Sequence, residues 1–314
     1  MNSAFAMSQQ GGHQDDEQAR TLLTSILNDA VDNQLLFPSA RDLRGFSQHR
    51  SQQQSQFTVQ TDAGSFFIKC SDLAYQPHFA AEQKSLLAMM ATQTISICAP
   101  LALGSIKSEG QPGTSYLILQ HIPLAVHGDW FSAGQQLAQM HTHTSSRGYG
   151  FERTTWCGET AQDNRWNENW GDFFVEQRLN PLFVQLEQIG IVISQRTRAL
   201  EVSRLMLSNH QPAASLLHGD LWSGNIGFNP ERQLSYPVLF DPACYSGDAE
   251  ADLAMTELFG RFPKKFYDGY QSISQIHSDY RERREIYQLY HVLNHALLFG
   301  GSYVQQADSL IAHL

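Results

Sequence analysis

The chain has 314 residues, 42% of them hydrophobic, which is long enough for two cores and too apolar for a disordered protein. Its 21 basic and 31 acidic residues give a formal charge of −10 with no basic block, which disfavours nucleic acid as a partner. Cys70, Cys98, Cys157 and Cys244 stand far apart without a C-x-x-C pair, as expected of reduced thiols in a cytoplasmic protein, and no stretch approaches the roughly twenty apolar residues that cross a membrane.

Residues 1–16 lack a basic start followed by an apolar core, so they read as a flexible tail rather than a signal peptide. From Glu17 to Val31, Leu22, Leu23, Ile26 and Leu27 fall at helical spacing and predict an amphipathic opening helix. Phe57 and Val59 alternate with polar neighbours, Asp62-Ala63-Gly64 makes a turn and Ser65 to Cys70 alternates again, so this pair reads as a hairpin. Lys69 ends its second strand. Thirteen residues on, Glu82 lies in a helical stretch, Phe79 to Met90, whose Leu86, Leu87 and Met90 are expected to face the sheet. Either charge alone would read as solvated surface; together they match the strand lysine and helix glutamate with which kinases hold the α- and β-phosphates of ATP. Strands follow at about 101–106 and 115–120. Gln120-His121-Ile122-Pro123 then reads as a hinge at which backbone groups, at Gln120 and Ile122, would grip the adenine.

Phe131 to His143 opens a larger second lobe as a helix carrying Leu137 and Met140. Its His141 and His143 are two apart, point to different faces, and so argue against a zinc site. Trp166, Trp170, Phe173 and Phe174 begin a mostly buried helical region that continues through Leu186, with a kink expected near Asn180-Pro181. Next comes Leu216-Leu217-His218-Gly219-Asp220-Leu221-Trp222-Ser223-Gly224-Asn225, and after one more apolar strand Phe240-Asp241-Pro242. This spacing matches the H-x-D-x-x-x-x-N catalytic loop of phosphotransferases, in which the acid takes a hydroxyl proton and the amide holds magnesium. Asp220 is thus the candidate base, with Asn225 and Asp241 the candidate metal ligands. Phosphoryl transfer needs little covalent help, so positioning and charge neutralisation by such a set is most of what a protein must supply. Gly247 to Ala254 begins another helix whose acids, Asp248, Glu250 and Asp252, suit the positive end of its dipole; Asp252 reads equally as a cap or as a brace for the catalytic loop. Tyr287, Leu289, Tyr290 and Leu293 mark helices that close the lobe.

These residues resemble the fructosamine/ketosamine 3-kinases, relatives of aminoglycoside phosphotransferases and choline kinases. The likeness rests on LLHGDLWSGN (216–225), FDPACYSGDAEADLAM (240–255), FFIKC (66–70) and YQLYHVLNHALLFGG (287–301), and spans nearly all of the chain after the tail. It implies an α+β, bilobal protein-kinase-like fold, with a small antiparallel-sheet N-lobe over 17–121 and a larger, mainly helical C-lobe over 122–314. It also implies ATP and Mg2+ as cofactors and a small-molecule or protein-bound ketosamine as substrate. Trp222 becomes a wall for a sugar's apolar face, or else a plug beneath the loop, and His218 joins it as a substrate-binding candidate. Where a glycine-rich phosphate loop belongs, Leu43-Arg44-Gly45-Phe46-Ser47-Gln48-His49-Arg50 has the single Gly45, whose turn would have to cap the phosphates through backbone amides. Asp241-Pro242-Ala243 lacks a DFG glycine, and its proline fixes φ against a flip of the protein-kinase type. A kinase for an aminoglycoside or choline-like hydroxyl, and a nucleotide-binding pseudokinase, are the alternatives.

Overall fold

The computed structural model describes residues 3–49, 54–107, 112–230 and 236–314, with 3–14 described by backbone alone. In chain order the elements are α1 (Ser3–Asp32), β1 (Leu43–His49), β2 (Ser55–Thr61), β3 (Gly64–Asp72), α2 (Gln76–Ala91), β4 (Ser96–Ile97), β5 (Pro100–Ile106) and β6 (Thr114–Gln120). There follow α3 (Trp130–His141), β7 (Thr155–Cys157), β8 (Thr160–Gln162), α4 (Trp170–Phe174), α5 (Asn180–Gln188), α6 (Arg196–Leu207), β9 (Ser215–Leu217), β10 (Ile226–Asn229), β11 (Tyr236–Leu239) and β12 (Tyr245–Gly247). Four helices end the chain: α7 (Ala249–Leu258), α8 (Lys264–Gln271), α9 (Tyr280–Phe299) and α10 (Ser302–His313). They divide into two compact units, Met1–Gln83 with Cys98–Ile122, and Lys84–Ile97 with Pro123–Leu314. Among the described residues, no helix is long and apolar enough to cross a membrane.

The first unit is built on one antiparallel sheet in the order β1-β2-β3-β6-β5. Leu23, Ile26, Leu27 and Ala30 repeat at three and four residues, so α1 presents a single apolar stripe. That stripe shares a core with Phe57, Val59, Ile68, Ala102, Tyr116 and Ile118, all buried. The Tyr116 hydroxyl donates to Asp29 Oδ2 at 2.6 Å and ties β6 to the helix. The helix begins at Ser3, so residues 3–16, expected as a flexible tail, are helical. Ala4, Ala6, Met7 and Gln9 favour helix and no proline interrupts them.

A second difference concerns α2. Leu86 is fully buried, but Leu87 and Met90 are 45% and 37% exposed, and the helix buries Phe79, Ala81, Ser85 and Met89 instead. The stretch Leu86-Leu87-Ala88-Met89-Met90 is apolar all round, so its inward face cannot be read from residue type.

In the second unit, β10, β11 and β4 form a small sheet in which Val238 and Leu239 pair in parallel with Ser96 and Ile97. Antiparallel pairs β9–β12 and β7–β8 complete its strands. Helices α3 and α8 meet backbone to backbone at two glycines: a Cβ on Gly134 would lie 1.9 Å from the Phe266 carbonyl oxygen, and one on Gly269 would lie 2.0 Å from that of Phe131. The aromatic segment buries Trp170, Phe173, Phe174 and Phe183 almost completely. Between α4 and α5, Val175–Leu179 is a π-helical turn. Pro181 has no N–H to give the Gln177 carbonyl, which accepts from the Arg178 guanidinium at 3.0 Å instead.

Candidate active site

Catalytic-loop geometry starts from β9. Its last residue, Leu217, pairs with Tyr245 of β12, and the chain then turns sharply at Gly219, which has φ +81°. A Cβ there would meet the Ala243 carbonyl oxygen at 2.1 Å, so only glycine allows the loop to lie against the segment that follows Asp241. The Ala243 N–H donates to the His218 carbonyl at 2.8 Å and closes that contact.

Asp252 of α7 holds the loop from beneath. Its carboxylate accepts the N–H of His218 at 2.7 Å and of Gly219 at 2.9 Å, and His141 Nε2 approaches it at 3.2 Å. His141 is held in turn by the Tyr270 hydroxyl at 2.9 Å. The brace reading of Asp252 is therefore the one realised, while Asp248 caps α7 by accepting the Glu250 N–H. Burial alone would raise the Asp252 pKa, but the His141 contact, the nearby His218 and the Gly219 N–H outweigh it and hold the carboxyl below the usual range.

His218 is completely buried, which corrects its expected place against substrate. Its Nε2 donates to the Phe240 carbonyl at 3.0 Å and its Nδ1 accepts the Asp220 N–H at 3.2 Å. Burial lowers its pKa and keeps the ring neutral, as that donor-and-acceptor pair requires. The ring is thus a strut linking the two strand ends that carry Asp220 and Asp241.

Asn225 lies beside Asp220. Its Nδ2 donates to the Asp220 main-chain oxygen at 2.8 Å and to Oδ2 at 3.1 Å. A main-chain oxygen can only accept, so the amide orientation is fixed and Oδ1 is the atom left for ligation. The Phe240 N–H donates to the Asn225 carbonyl at 3.2 Å and brings Asp241 next to it in the chain path. Asp241 has φ +55°, a left-handed conformation that costs a non-glycine residue about 1–3 kcal/mol and is typical of functional sites. An amide oxygen and a carboxylate are the hard donors magnesium takes, so the residues present fit that ion. Burial pushes the Asp220 carboxyl up to about 7; the hydrogen bond from Asn225 opposes that, and the Asp241 and Asp252 charges add to it. Trp222 is 38% exposed, with its ring against the backbone of Gly224, where a Cβ would come within 2.3 Å. It is neither a core plug nor free.

In the first unit, Lys69 Nζ lies 2.7 Å from Glu82 Oε1, the side chains being 3% and 15% exposed. Gly45 sits within β1, where the register with β2 shifts between Leu43 and Gly45. The segment expected to cap phosphates is therefore mostly strand, and its end, from Arg50, lies outside the described residues. Gln120 ends β6 with its N–H donated to the Ala99 carbonyl at 2.8 Å, and Ile122 just beyond is half-buried.

Two contributors escape a reading of the sequence. His141 could have been found from its place on the inward face of α3 with Leu137, rather than weighed only as a metal ligand. His291 of α9 stands 3.9 Å from Asp220 through Nδ1. Its signal is a polar residue in the buried stripe that contains Tyr287 and Tyr290.

The sequence pattern of the fructosamine kinase family matches residues 40–314. A Vibrio parahaemolyticus protein named as a probable ketoamine kinase is 39% identical over 249 residues, 78% of this chain and 83% of that one. The chloroplastic protein-ribulosamine 3-kinase of Arabidopsis thaliana is 38% identical over 257 residues, covering 80% of this chain and 76% of its own. A solved Haemophilus somnus structure assigned as a fructosamine-3-kinase superposes with a TM-score of 0.79 at 27% identity, over 86% of this chain and 91% of that one. The fold is protein-kinase-like. By its sequence along almost its whole length, and by that fold, the chain belongs to the fructosamine kinase family.

Proposed function

We propose that this chain transfers the terminal phosphoryl group of ATP to a sugar hydroxyl of a ketosamine, a fructosamine- or ribulosamine-type glycation adduct, and so serves its repair. The observation that carries this reading is the single braced loop on which Asp220 and Asn225 touch while Asp241 follows on the adjoining strand end. Asp220 accepts the proton of the attacking hydroxyl as the new O–P bond forms and the bond to the departing ADP oxygen breaks. A carboxyl raised toward neutrality is a better-matched base than an ordinary aspartate. Asn225 Oδ1 and the Asp241 carboxylate hold Mg2+, which when bound neutralises charge on the phosphates. Lys69, oriented by Glu82, holds the α- and β-phosphates; Gly45, Gln120 and Ile122 remain assigned to the nucleotide, and Trp222 to the sugar. A cytoplasmic location fits four buried cysteines, none of them in a disulfide.

The names of the relatives favour a ketosamine over an aminoglycoside or choline. The test is a screen with labelled ATP and magnesium against synthetic fructosamines, ribulosamines, glycated peptides, aminoglycosides and choline. Transfer to the ketosamines alone is the expected result. Preference for an aminoglycoside or choline, or ATP binding without transfer to any acceptor, would refute the assignment.

A further inference from the structure

Helix α9 buries a run of polar side chains, and nearly all of them are paired. Arg283 meets Glu250 through two contacts of 2.8 Å, Tyr287 donates to Asp248 at 2.6 Å, and Gln288 donates to the Ala254 carbonyl at 3.0 Å. The Tyr290 hydroxyl accepts from Gln162 at 2.8 Å, while Asn294 donates to the Cys157 carbonyl at 3.1 Å and accepts from Thr160. These ties fix both the rotation and the height of the helix. His291 and His295 differ: the Nδ1 of each is buried with no hydrogen-bond partner. The His295 ring is stacked on Phe259 at 4.4 Å and 6°, a contact of its face that leaves Nδ1 as it is. The His291 ring meets Tyr290 edge-on at 4.9 Å and 73°, and its Nδ1 is the one that faces a carboxylate. Its Nδ1 lies 3.9 Å from Asp220 Oδ1, and Cys157 Sγ is within 4.8 Å of both groups.

A buried polar atom left bare costs about 1–3 kcal/mol, so its presence beside the proposed base calls for a reason. We propose that His291 is a positioning residue: its Nδ1–H holds the Asp220 carboxylate toward the acceptor hydroxyl, the 3.9 Å separation closing to a hydrogen bond in the substrate complex. Catalytic hydrogen bonds are often long before substrate binds. Asn225 already grips Oδ2 at 3.1 Å, so a donor at Oδ1 fixes the plane of the carboxylate from its second oxygen. Burial pushes the His291 ring down to about 3, so it is neutral and carries one N–H. A metal ion on Cys157, Asp220 and His291 would instead occupy the oxygen that must take the proton. The inference rests on Asp220 being the base.

Asparagine carries Nδ2 as many bonds from Cα as histidine carries Nδ1, whereas glutamine carries its amide one carbon farther out. In His291→Gln and His291→Phe, kcat for ketosamine phosphorylation should fall roughly ten- to a hundredfold with the KM for ATP unchanged. His291→Asn should recover most of that loss. Equal losses in all three variants, or an undiminished kcat in His291→Phe, would overturn the proposal. A second readout needs no turnover. Nitrogen NMR of histidine-labelled protein should find the His291 proton on Nδ1 in the wild type and on Nε2 in Asp220→Ala; a proton on Nε2 in both would also overturn it. Should the wild type phosphorylate no ketosamine, the functional assignment fails, while the tautomer measurement still judges the His291–Asp220 contact.

Discussion

At the scale of single residues, Asp252 does the most for the site without touching any reactant. It satisfies two buried backbone N–H groups and faces His141, all away from water. Replacing it by alanine strands those donors in the interior, which should cost on the order of 3–5 kcal/mol. Asp252→Asn keeps the shape but loses the charge and one of the two acceptor oxygens, as protonation does, and it gives a pH test with a definite sign. The folded-state pKa is depressed, so as pH falls the unfolded chain binds the proton first. The stabilisation is therefore complete above the unfolded pKa of about 4 and disappears as pH drops through the lower folded value. Urea midpoints for wild type and Asp252→Asn should differ at pH 6 and converge in acid. A gap that stays constant down to pH 2 would show that the carboxylate charge is not what braces the loop. Sequence spacing brought Asp220, Asn225 and Asp241 forward as candidates because a short loop determines its own geometry, and Asp220 and Asn225 do touch. It could not place His218, whose burial depends on Phe240, twenty-two residues on.

At the scale of elements, legibility followed periodicity. The α1 stripe and the β2–β3 hairpin were readable because apolar and polar residues alternate there with a clear period. The inward face of α2 was not, because five neighbouring residues, 86 to 90, are all apolar. The π turn at 175–179 was readable only as a kink near Pro181, since its geometry depends on Arg178 reaching the Gln177 carbonyl. The α3–α8 contact was hidden for another reason: a glycine in a helix looks like a weakness in sequence and becomes a requirement only when a second backbone arrives. Gly134→Ala puts a methyl 1.9 Å from the Phe266 carbonyl, inside any tolerable contact. Overpacking of this kind typically costs about 1–3 kcal/mol, so thermal unfolding should shift down by several degrees. An unchanged or raised Tm would mean that the two helices are not so closely apposed.

At the scale of the whole molecule, each of the two units assembles a different part of the proposed site within itself. The buried Lys69–Glu82 pair is assembled in the first, and the loop with Asp220, Asn225 and its supports in the second. Chain order alone suggested a division after residue 121, but residues 84–97 pack with the second unit because Ser96 and Ile97 pair with Val238 and Leu239. That pairing spans more than a hundred residues of sequence and leaves no local trace. The same long-range pattern explains why His141 and His291, from two other helices, could not be joined to the loop by spacing, and why Asp252 stayed open between brace and cap. The measurement that bears most directly on the account compares wild type with Asp220→Asn, using magnesium, ATP and a synthetic ketosamine and following ADP release and phosphorylated product. The account predicts that kcat falls by a hundredfold or more, on the order of what a general base contributes, while nucleotide binding and Tm stay close to wild type. Phosphorylation at the wild-type rate by Asp220→Asn would contradict it.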